Sequence, residues 1–218
     1  MNDLLIFGVG GMGRDTLWLA QRINQVKPTW NILGFLDDSP AAQGKLINGC
    51  PVLGTMQEAV AFPDAYLVCA IGSSAVRRRL TERMKALNPN ARFATLIDPD
   101  AIVADTAAIG QGVVICARNY VSVNSKIADH CLIGAGCTVG HDAVLEKYVT
   151  LYPGVNVSGN TLLHEQCEMG TGSQIIQGLS VGARTIVGAG ATVVRDLPPD
   201  CTAVGVPARP IKVNQSKN

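Results

Sequence analysis

The sequence predicts a two-part protein, in which an α/β domain precedes a solenoid built from short strands. Up to about residue 98, apolar runs alternate with segments of helical periodicity, whereas from Val103 onward an aliphatic residue recurs at every sixth position. Hydrophobic residues make up 47% of the chain but aromatic residues only 5%, so aliphatic and small side chains must form the core. We therefore divide the chain into domains 1–98 and 99–218.

The N-terminal part contains strands and helices in alternation. "LLIFGVG" predicts a strand that runs into a glycine turn, and "RDTLWLAQRINQ" predicts a helix. "ILGFLDD" and "YLVCAIG" predict two further strands, and "RFATLID" closes the series. Between them, "SSAVRRRLTERMKALN" predicts a second helix that is capped by Ser73 or Ser74. This order predicts a small parallel sheet with helices on both faces.

The C-terminal part has a strict period of six. Sixteen aliphatic positions follow one another without an insertion, namely Val103, Ile109, Ile115, Val121, Ile127, Ile133, Val139, Leu145, Leu151, Val157, Leu163, Met169, Ile175, Val181, Val187 and Val193. The fourth residue after each is mostly small or β-branched, and Cys131, Cys137 and Cys167 occupy this position. Such a short fixed period indicates a solenoid whose stacked turns bury a continuous column.

This period resembles the hexapeptide-repeat, left-handed parallel β-helix. In that fold three hexapeptides form one triangular coil, which implies that residues n and n+18 lie one above the other, about 4.8 Å apart. Cys131 and Cys167 would then be two coils apart, too far for a disulfide. We expect the three cysteines of the small column to be buried and free.

The first glycine turn fits G-x-G-x-x-G. It consists of Gly8, Gly10 and Gly13, lies after a strand and before a helix, and allows the backbone to approach a phosphate. Asp37 and Asp38 follow the next strand, where an acidic residue can bind a ribose hydroxyl. A purely structural turn without a ligand is the alternative.

Three histidines are candidates for chemistry. Successive spacings of 11 and 23 residues place no two of them one coil apart, so a zinc site is not expected. We expect His130 and His164 to be turn or surface residues, with His164 stacked over Glu146.

His141 differs from the other two histidines. It follows a glycine at a turn, precedes Asp142 and lies one coil below Gly159. The carboxylate can orient the ring, and the glycine leaves open space and exposes an N–H group. A base, an orienting acid and a donor to an oxyanion are what acyl transfer needs. The alternative is a solvated turn histidine.

The whole chain resembles a family of bacterial sugar acyltransferases that joins a Rossmann-like domain to a hexapeptide β-helix. The family includes sialic acid O-acetyltransferase-like proteins and N-acetyltransferases of UDP-4-amino-sugars and GDP-perosamine. The matching segments are "IFGVGGMGRD", "GFLDDSP", "PVLG", "AIGSSAVRRRL", "LIDPDAIV", "VGHDAVLEKYV", "VNVSGN", "VGAGATVVRDLP" and "VGVPARPIK". They span nearly all 218 residues in the same order.

The resemblance implies an acetyl-CoA-dependent sugar acetyltransferase of surface-glycan synthesis, with no metal. His141 would be the general base, Asp142 would orient it, and the Gly159 N–H would donate to the acetyl carbonyl. Acetyl-CoA would lie between two protomers of a homotrimer, near Gly170, Gly182, Ala189 and Pro207. The nucleotide of the sugar would contact Gly8, Gly10, Gly11, Gly13, Asp37 and Asp38, with Gly72 nearby.

The sequence departs from the family at two positions. Met12 and Thr150 stand where characterised amino-sugar N-acetyltransferases often carry histidine, and both are expected to face the acceptor. The identity of the acceptor, and N- versus O-acetylation, therefore stay open. Two rivals also stay open: an acyltransferase for a small hydroxyl acceptor such as serine, and a non-catalytic nucleotide-sugar-binding or scaffold protein.

Composition and charge weigh against other classes. Lysine plus arginine is 18 and aspartate plus glutamate is 17, a balance that offers no footprint for nucleic acid or an anionic membrane. Neither a signal peptide nor an apolar run of about 20 residues is recognised. The seven cysteines contain no C-x-x-C pair, which favours a reduced, cytoplasmic protein.

Overall fold

A computed structural model describes residues 1–213 of the chain. The N-terminal domain is a six-stranded sheet of order β3-β4-β2-β1-β5-β6, in which only the β3–β4 pairing is antiparallel. Its elements are β1 (Asn2–Phe7), α1 (Gly11–Val26), β2 (Trp30–Leu36), β3 (Leu46–Ile47), β4 (Cys50–Gly54), β5 (Tyr66–Cys69), α2 (Ser74–Leu87) and β6 (Arg92–Phe93), with 3-10 turns at Pro40–Ala42 and Met56–Ala61.

The central strand β1 explains why the two helices lie on opposite faces of this sheet. Successive side chains of a strand point to opposite sides. Leu4 and Ile6 are buried in the cluster that contains Leu17 of α1, whereas Leu5 and Phe7 are buried in the cluster that contains Met84 of α2. The predicted helix-covered parallel sheet is confirmed.

The C-terminal domain is a left-handed parallel β-helix of three sheets, as predicted. The domain-facing sheet contains Leu96–Ile97, Val114–Ile115, Leu132–Ile133, Thr150–Leu151, Glu168–Met169, Ile186–Val187, Cys201–Val204 and the antiparallel Arg209–Val213. The second sheet contains Ile102–Val103, Tyr120–Val121, Thr138–Val139, Asn156–Val157, Gln174–Ile175 and Thr192–Val193. The third sheet contains Ala108–Ile109, Lys126–Ile127, Val144–Leu145, Leu162–Leu163 and Ser180–Val181.

The register of these strands confirms the coil of 18 residues. Val114 pairs with Leu132, which pairs with Thr150, and the same spacing recurs in all three sheets. From Ile115 to Val193 every member of the aliphatic column is at most 2% exposed. Cys131, Cys137 and Cys167 are buried free thiols, as expected.

Three corners join the sheets, and we name them by what they face. The cleft corner follows the domain-facing sheet and includes residues 134–137 and 152–155. The open corner follows the second sheet and includes residues 140–143 and 158–161. The α2 corner follows the third sheet and includes residues 128–131 and 146–149.

The N-terminal domain covers the outer face of the domain-facing sheet. Val114, Leu132 and Thr150 point away from the β-helix interior, yet none is more than 3% exposed. The β-helix begins at Leu96, earlier than the expected boundary after residue 98, because "RFATLID" splits into two strands. Arg92–Phe93 joins the α/β sheet, whereas Leu96–Ile97 pairs with Val114–Ile115.

The chain after the last coil adds two strands to the edge of the domain-facing sheet. Cys201–Val204 pairs with Ile186–Val187, and the turn that follows is held by an Ala208 N–H bond to the Thr192 carbonyl. Among residues 1–213, no helix combines the length and the apolar character needed to cross a membrane.

Candidate active site

The open corner carries a histidine that is bonded to a carboxylate. Nδ1 of His141 lies 2.8 Å from Oδ2 of Asp142, and both side chains are about half exposed, at 48% and 46%. A carboxylate can only accept, so Nδ1 donates this bond, and in the neutral imidazole Nε2 then keeps its lone pair. The hydrogen bond to His141 holds the pKa of the Asp142 carboxyl below its ordinary value.

The next coil leaves room at the free nitrogen. A Cβ on Gly159 would lie 2.5 Å from Nε2 of His141, closer than non-bonded atoms approach, so only glycine lets the ring occupy this position. Within residues 1–213, the Gly159 N–H has no hydrogen-bond acceptor, although the Asn160 N–H bonds the His141 carbonyl at 2.8 Å. The corner thus combines an oriented base with an unpaired donor.

Gly140 allows the two coils to approach each other at this corner. A Cβ there would collide with the Gly159 backbone nitrogen and would lie 2.6 Å from the Ser158 carbonyl carbon. The "VGHD" segment therefore needs glycine before His141 for a packing reason that is independent of chemistry.

A second feature is a cleft of about 420 Å³ between the two domains. The N-terminal half of α1 and Gly72 form one wall, and the cleft corner forms the other. The lining residues are Gly11, Met12, Asp15, Trp18, Leu19, Gly72, Asp98, Cys116, Ala117, Leu132, Gly134, Ala135, Tyr152 and Pro153. The lining is mostly apolar, and carboxylates and the Tyr152 phenol supply its polar groups.

The glycine loop borders this cleft. Gly13 packs α1 against the sheet, because a Cβ there would collide with the Gly8 carbonyl oxygen. Gly8 has φ of +104°, which favours glycine. Added Cβ atoms on Gly10 and Gly11 would meet nothing within 4 Å. The start of α1 therefore presents open backbone N–H groups, the arrangement that suits a phosphate.

The two aspartates after β2 have different partners. Oδ2 of Asp37 accepts the Val9 N–H at 3.0 Å, so this carboxylate lies beside the glycine loop. Asp38 instead accepts the Met56 N–H at 3.0 Å and Arg83 at 2.6 Å. The structure therefore brings Asp37 to the loop, whereas Asp38 is held by the opposite side of the domain.

The predicted cofactor contacts do not form one cluster within the chain. Gly170 packs directly against Ala189 at the cleft corner, and the exposed Pro207 follows a strand that packs on Gly188 there. Gly182 lies at the α2 corner, where a Cβ would overlap Pro198 and Pro199. Three of the four residues therefore lie at or next to the cleft corner, whereas Gly182 lies at the α2 corner of the same part of the β-helix.

Among the polar residues, one expectation holds in part and one is wrong. His130 lies in a turn, as expected, but it is 1% exposed and its ring lies between Phe93 and Tyr148, with centroid distances of 4.7 and 5.2 Å. Thr150 is fully buried and its hydroxyl bonds the Gly72 carbonyl at 3.0 Å, so it does not face an acceptor. Met12 does line the cleft. The stacked pair is confirmed, with Nδ1 of His164 3.3 Å from Glu146.

No sequence motif indicated Arg77, whose buried guanidinium joins α2 to the β-helix. Its helical phase was a usable signal, since the buried residues of α2 are Ser74, Arg77, Thr81 and Met84.

For metals, residues 1–213 contain no group of three or more histidine, cysteine, aspartate or glutamate side chains that could hold an ion.

Comparison with known proteins gives one match to the N-terminal domain and others to nearly the whole chain. A family model described as the PglD N-terminal domain matches residues 3–84. The GDP-perosamine N-acetyltransferase of Escherichia coli O157:H7 is 33% identical over 219 residues, which cover 97% of each chain.

Two solved structures are similar over the same length. The acetyltransferase domain of PglB from Neisseria gonorrhoeae FA1090 has 33% identity and a TM-score of 0.87, over 97% of this chain and 100% of that one. PerB from Caulobacter crescentus, in complex with CoA and GDP-perosamine, has 28% identity and a TM-score of 0.87, over 97% and 98%.

Proposed function

Because the chain belongs to the sugar N-acetyltransferase family, as the 33% identity over 97% of both chains establishes, we propose that it transfers the acetyl group of acetyl-CoA to an amine of a nucleotide-linked sugar. The observation that carries the mechanism is the open corner. There the His141 ring is oriented by Asp142 at 2.8 Å and its Nε2 faces the space that Gly159 leaves.

In the proposed reaction, the acceptor nitrogen attacks the thioester carbonyl carbon while Nε2 of His141 takes its proton. The Gly159 N–H donates to the oxygen that becomes negative, because this donor has no acceptor within the described chain. The C–S bond then breaks, and the CoA sulfur leaves with the proton from the imidazolium. Asp142 stabilises that imidazolium, since the carboxylate accepts from Nδ1.

The acceptor would bind in the cleft, with its phosphates at the start of α1. Open space at Gly10 and Gly11 supports this assignment, as does the Asp37 carboxylate beside the loop. The PerB complex with GDP-perosamine makes a guanosine-linked 4-amino sugar the first acceptor to test. We also propose that this reaction serves the synthesis of a surface glycan.

The cleft and His141 lie at different corners of the same coils, so one chain does not bring them together. We therefore propose a homotrimer in which the cleft of one protomer faces the partner subunit's His141, with acetyl-CoA between them. A closed ring of identical contacts completes each site with two copies. Seven free cysteines favour a reducing compartment such as the cytoplasm.

The test is an acetyl-transfer assay on the purified protein with acetyl-CoA. GDP-perosamine is compared with the matched GDP-linked sugar that carries a hydroxyl in place of the amine, and with serine. Mass spectrometry of the product is the readout. Acetylated GDP-perosamine supports the proposal, whereas acetylated serine alone would overturn the sugar assignment and acetylation of the hydroxyl sugar alone would reassign it to O-transfer.

A further inference from the structure

Arg77 makes an unusual set of contacts for a buried arginine. It is 1% exposed, and Nε donates to the His130 carbonyl at 2.8 Å. Nη2 donates to the Tyr148 carbonyl at 2.8 Å and to the Thr150 hydroxyl at 2.9 Å. A buried charge is tolerated only when its donors are satisfied, and backbone of two successive coils satisfies these.

The remaining nitrogen of Arg77 holds a loop of its own domain. Nη1 donates to the Ile71 and Gly72 carbonyls at 2.7 and 2.9 Å. The Thr150 hydroxyl donates to the same Gly72 carbonyl at 3.0 Å. Because Gly72 lines the cleft, this pair of donors fixes one point of the cleft wall.

Glu168 makes the second connection between the domains. Its Oε1 accepts the Ser74 N–H at 2.7 Å and the Ser74 hydroxyl at 2.8 Å, at the start of α2. The N-cap residue Ser73 makes no side-chain bond, so the carboxylate of the β-helix caps this helix. Oε2 accepts the Tyr152 phenol at 3.2 Å, and Tyr152 is the opposite wall of the cleft.

We propose that Arg77, Thr150 and Glu168 form an interdomain latch that sets the width of the cleft and holds Gly72 and Tyr152 in place for the acceptor. Arg77 is then a positioning residue. The inference rests on the proposed function, in which the cleft holds the nucleotide sugar. A loosened latch weakens acceptor binding selectively, because none of its hydrogen bonds involves Gly170, Ala189 or Pro207, near which acetyl-CoA is expected, or the open corner.

The experiment compares Arg77→Lys, Thr150→Val and Glu168→Gln with the control Thr81→Val. The control removes another buried contact between α2 and the β-helix, the 3.0 Å bond from Thr81 to the Tyr148 phenol, which does not touch the cleft. KM is measured for GDP-perosamine and for acetyl-CoA on the full chain, together with the melting temperature and hydrogen exchange of residues 70–74, which include the bonded N–H groups of Ala70 and Ser74. Thr150→Val keeps the shape of the side chain, so it answers the question even where Arg77→Lys fails to fold.

The latch variants should raise the KM for GDP-perosamine about tenfold, which corresponds to about 1.4 kcal/mol, with the KM for acetyl-CoA within about twofold. They should also speed exchange at residues 70–74, whereas Thr81→Val lowers only the melting temperature. Two results would overturn the latch. One is an equal change in the KM for GDP-perosamine and the KM for acetyl-CoA. The other is a Thr150→Val variant that, like Thr81→Val, lowers only the melting temperature. A wild-type protein that acetylates no 4-amino sugar would instead overturn the proposed function, and the exchange data would still judge the latch.

Discussion

The open corner and the α2 corner are built from the same type of turn, yet His141 at the open corner and His130 at the α2 corner differ in exposure. His141 at the open corner is half exposed and bonded to Asp142. His130 at the α2 corner is enclosed by Phe93 and Tyr148, and its Nε2 has no hydrogen-bond partner among the described residues. Burial lowers the pKa of His130 to about 4. His164, also at the α2 corner, stays part exposed, so the exposure of a histidine depends both on its position in the turn and on contact with the covering domain through Phe93.

The largest expected effect is the loss of the exposed histidine. His141→Ala should lower kcat by roughly 10²–10⁴, the usual contribution of a general base. The matched control is His164→Ala, which removes another part-exposed histidine with a carboxylate partner at 3.3 Å and should leave kcat nearly unchanged. Full activity of His141→Ala in a steady-state assay would remove the proposed mechanism.

The next largest effect is expected at the glycine loop that borders the cleft. Gly11→Val places a side chain where the structure has open space, so the fold should tolerate it while the phosphate approach is blocked. We expect GDP-perosamine binding to weaken at least about 100-fold, since the phosphate contacts at the helix start are lost. Calorimetry should find unchanged CoA binding, and an equal loss of both ligands would indicate a folding defect instead.

A smaller effect is expected from crowding the base. Gly159→Ala puts a methyl group 2.5 Å from the present position of Nε2 of His141, so the imidazole must move. A displacement of this kind should lower kcat roughly 10- to 100-fold with little change in melting temperature. If kcat stays at the wild-type value, the space over Gly159 has no part in the reaction.

The smallest effect concerns the stability contributed by the enclosed histidine. The folded protein holds the pKa of His130 at about 4, below the value near 6.5 of an unfolded chain, so the unfolded state binds more protons between these values. The contribution of this pKa difference to the free energy of unfolding should be fully present above a pH of about 6.5. The free energy of unfolding should then fall by up to about 3 kcal/mol as the pH drops to about 4.

The matched variant for this prediction is His130→Asn, because His130 has φ of +59° and asparagine accepts that conformation. Urea unfolding across this pH range should give the variant a lower stability at neutral pH and a flatter pH dependence. If the free energies of unfolding of the variant and the wild type changed with pH in parallel, His130 would not change its protonation on unfolding.

Much of the fold could be predicted from the sequence because of the repeat. A period of six identifies the residues that point inward. Coils of 18 residues then place Gly159 over His141 without any knowledge of the N-terminal domain. The contact between the N-terminal domain and the β-helix could not be predicted, because the outward-facing positions of a β-helix follow no sequence pattern. His130, Thr150 and Arg77 are polar residues whose burial depends on where α2 docks.

The local chemistry of single segments was also only partly predictable. "LDDSP" identifies two carboxylates after β2, but their directions alternate along the chain. Asp37 therefore reaches the Val9 N–H while Asp38 reaches Arg83. Likewise, the 18-residue coil places Gly170 and Gly182, twelve residues apart, at different corners, but the repeat does not show which corner faces the cleft.

The most direct test of the shared site is complementation between two inactive variants. His141→Ala and Gly11→Val are mixed in equal amounts, unfolded, reassembled together and assayed with acetyl-CoA and GDP-perosamine. If the cleft of one protomer works with the partner subunit's His141, random assembly leaves both parts intact at about one site in four, so about a quarter of the wild-type activity should return. Activity no greater than that of the two variants reassembled separately would contradict a site built from two copies of the chain.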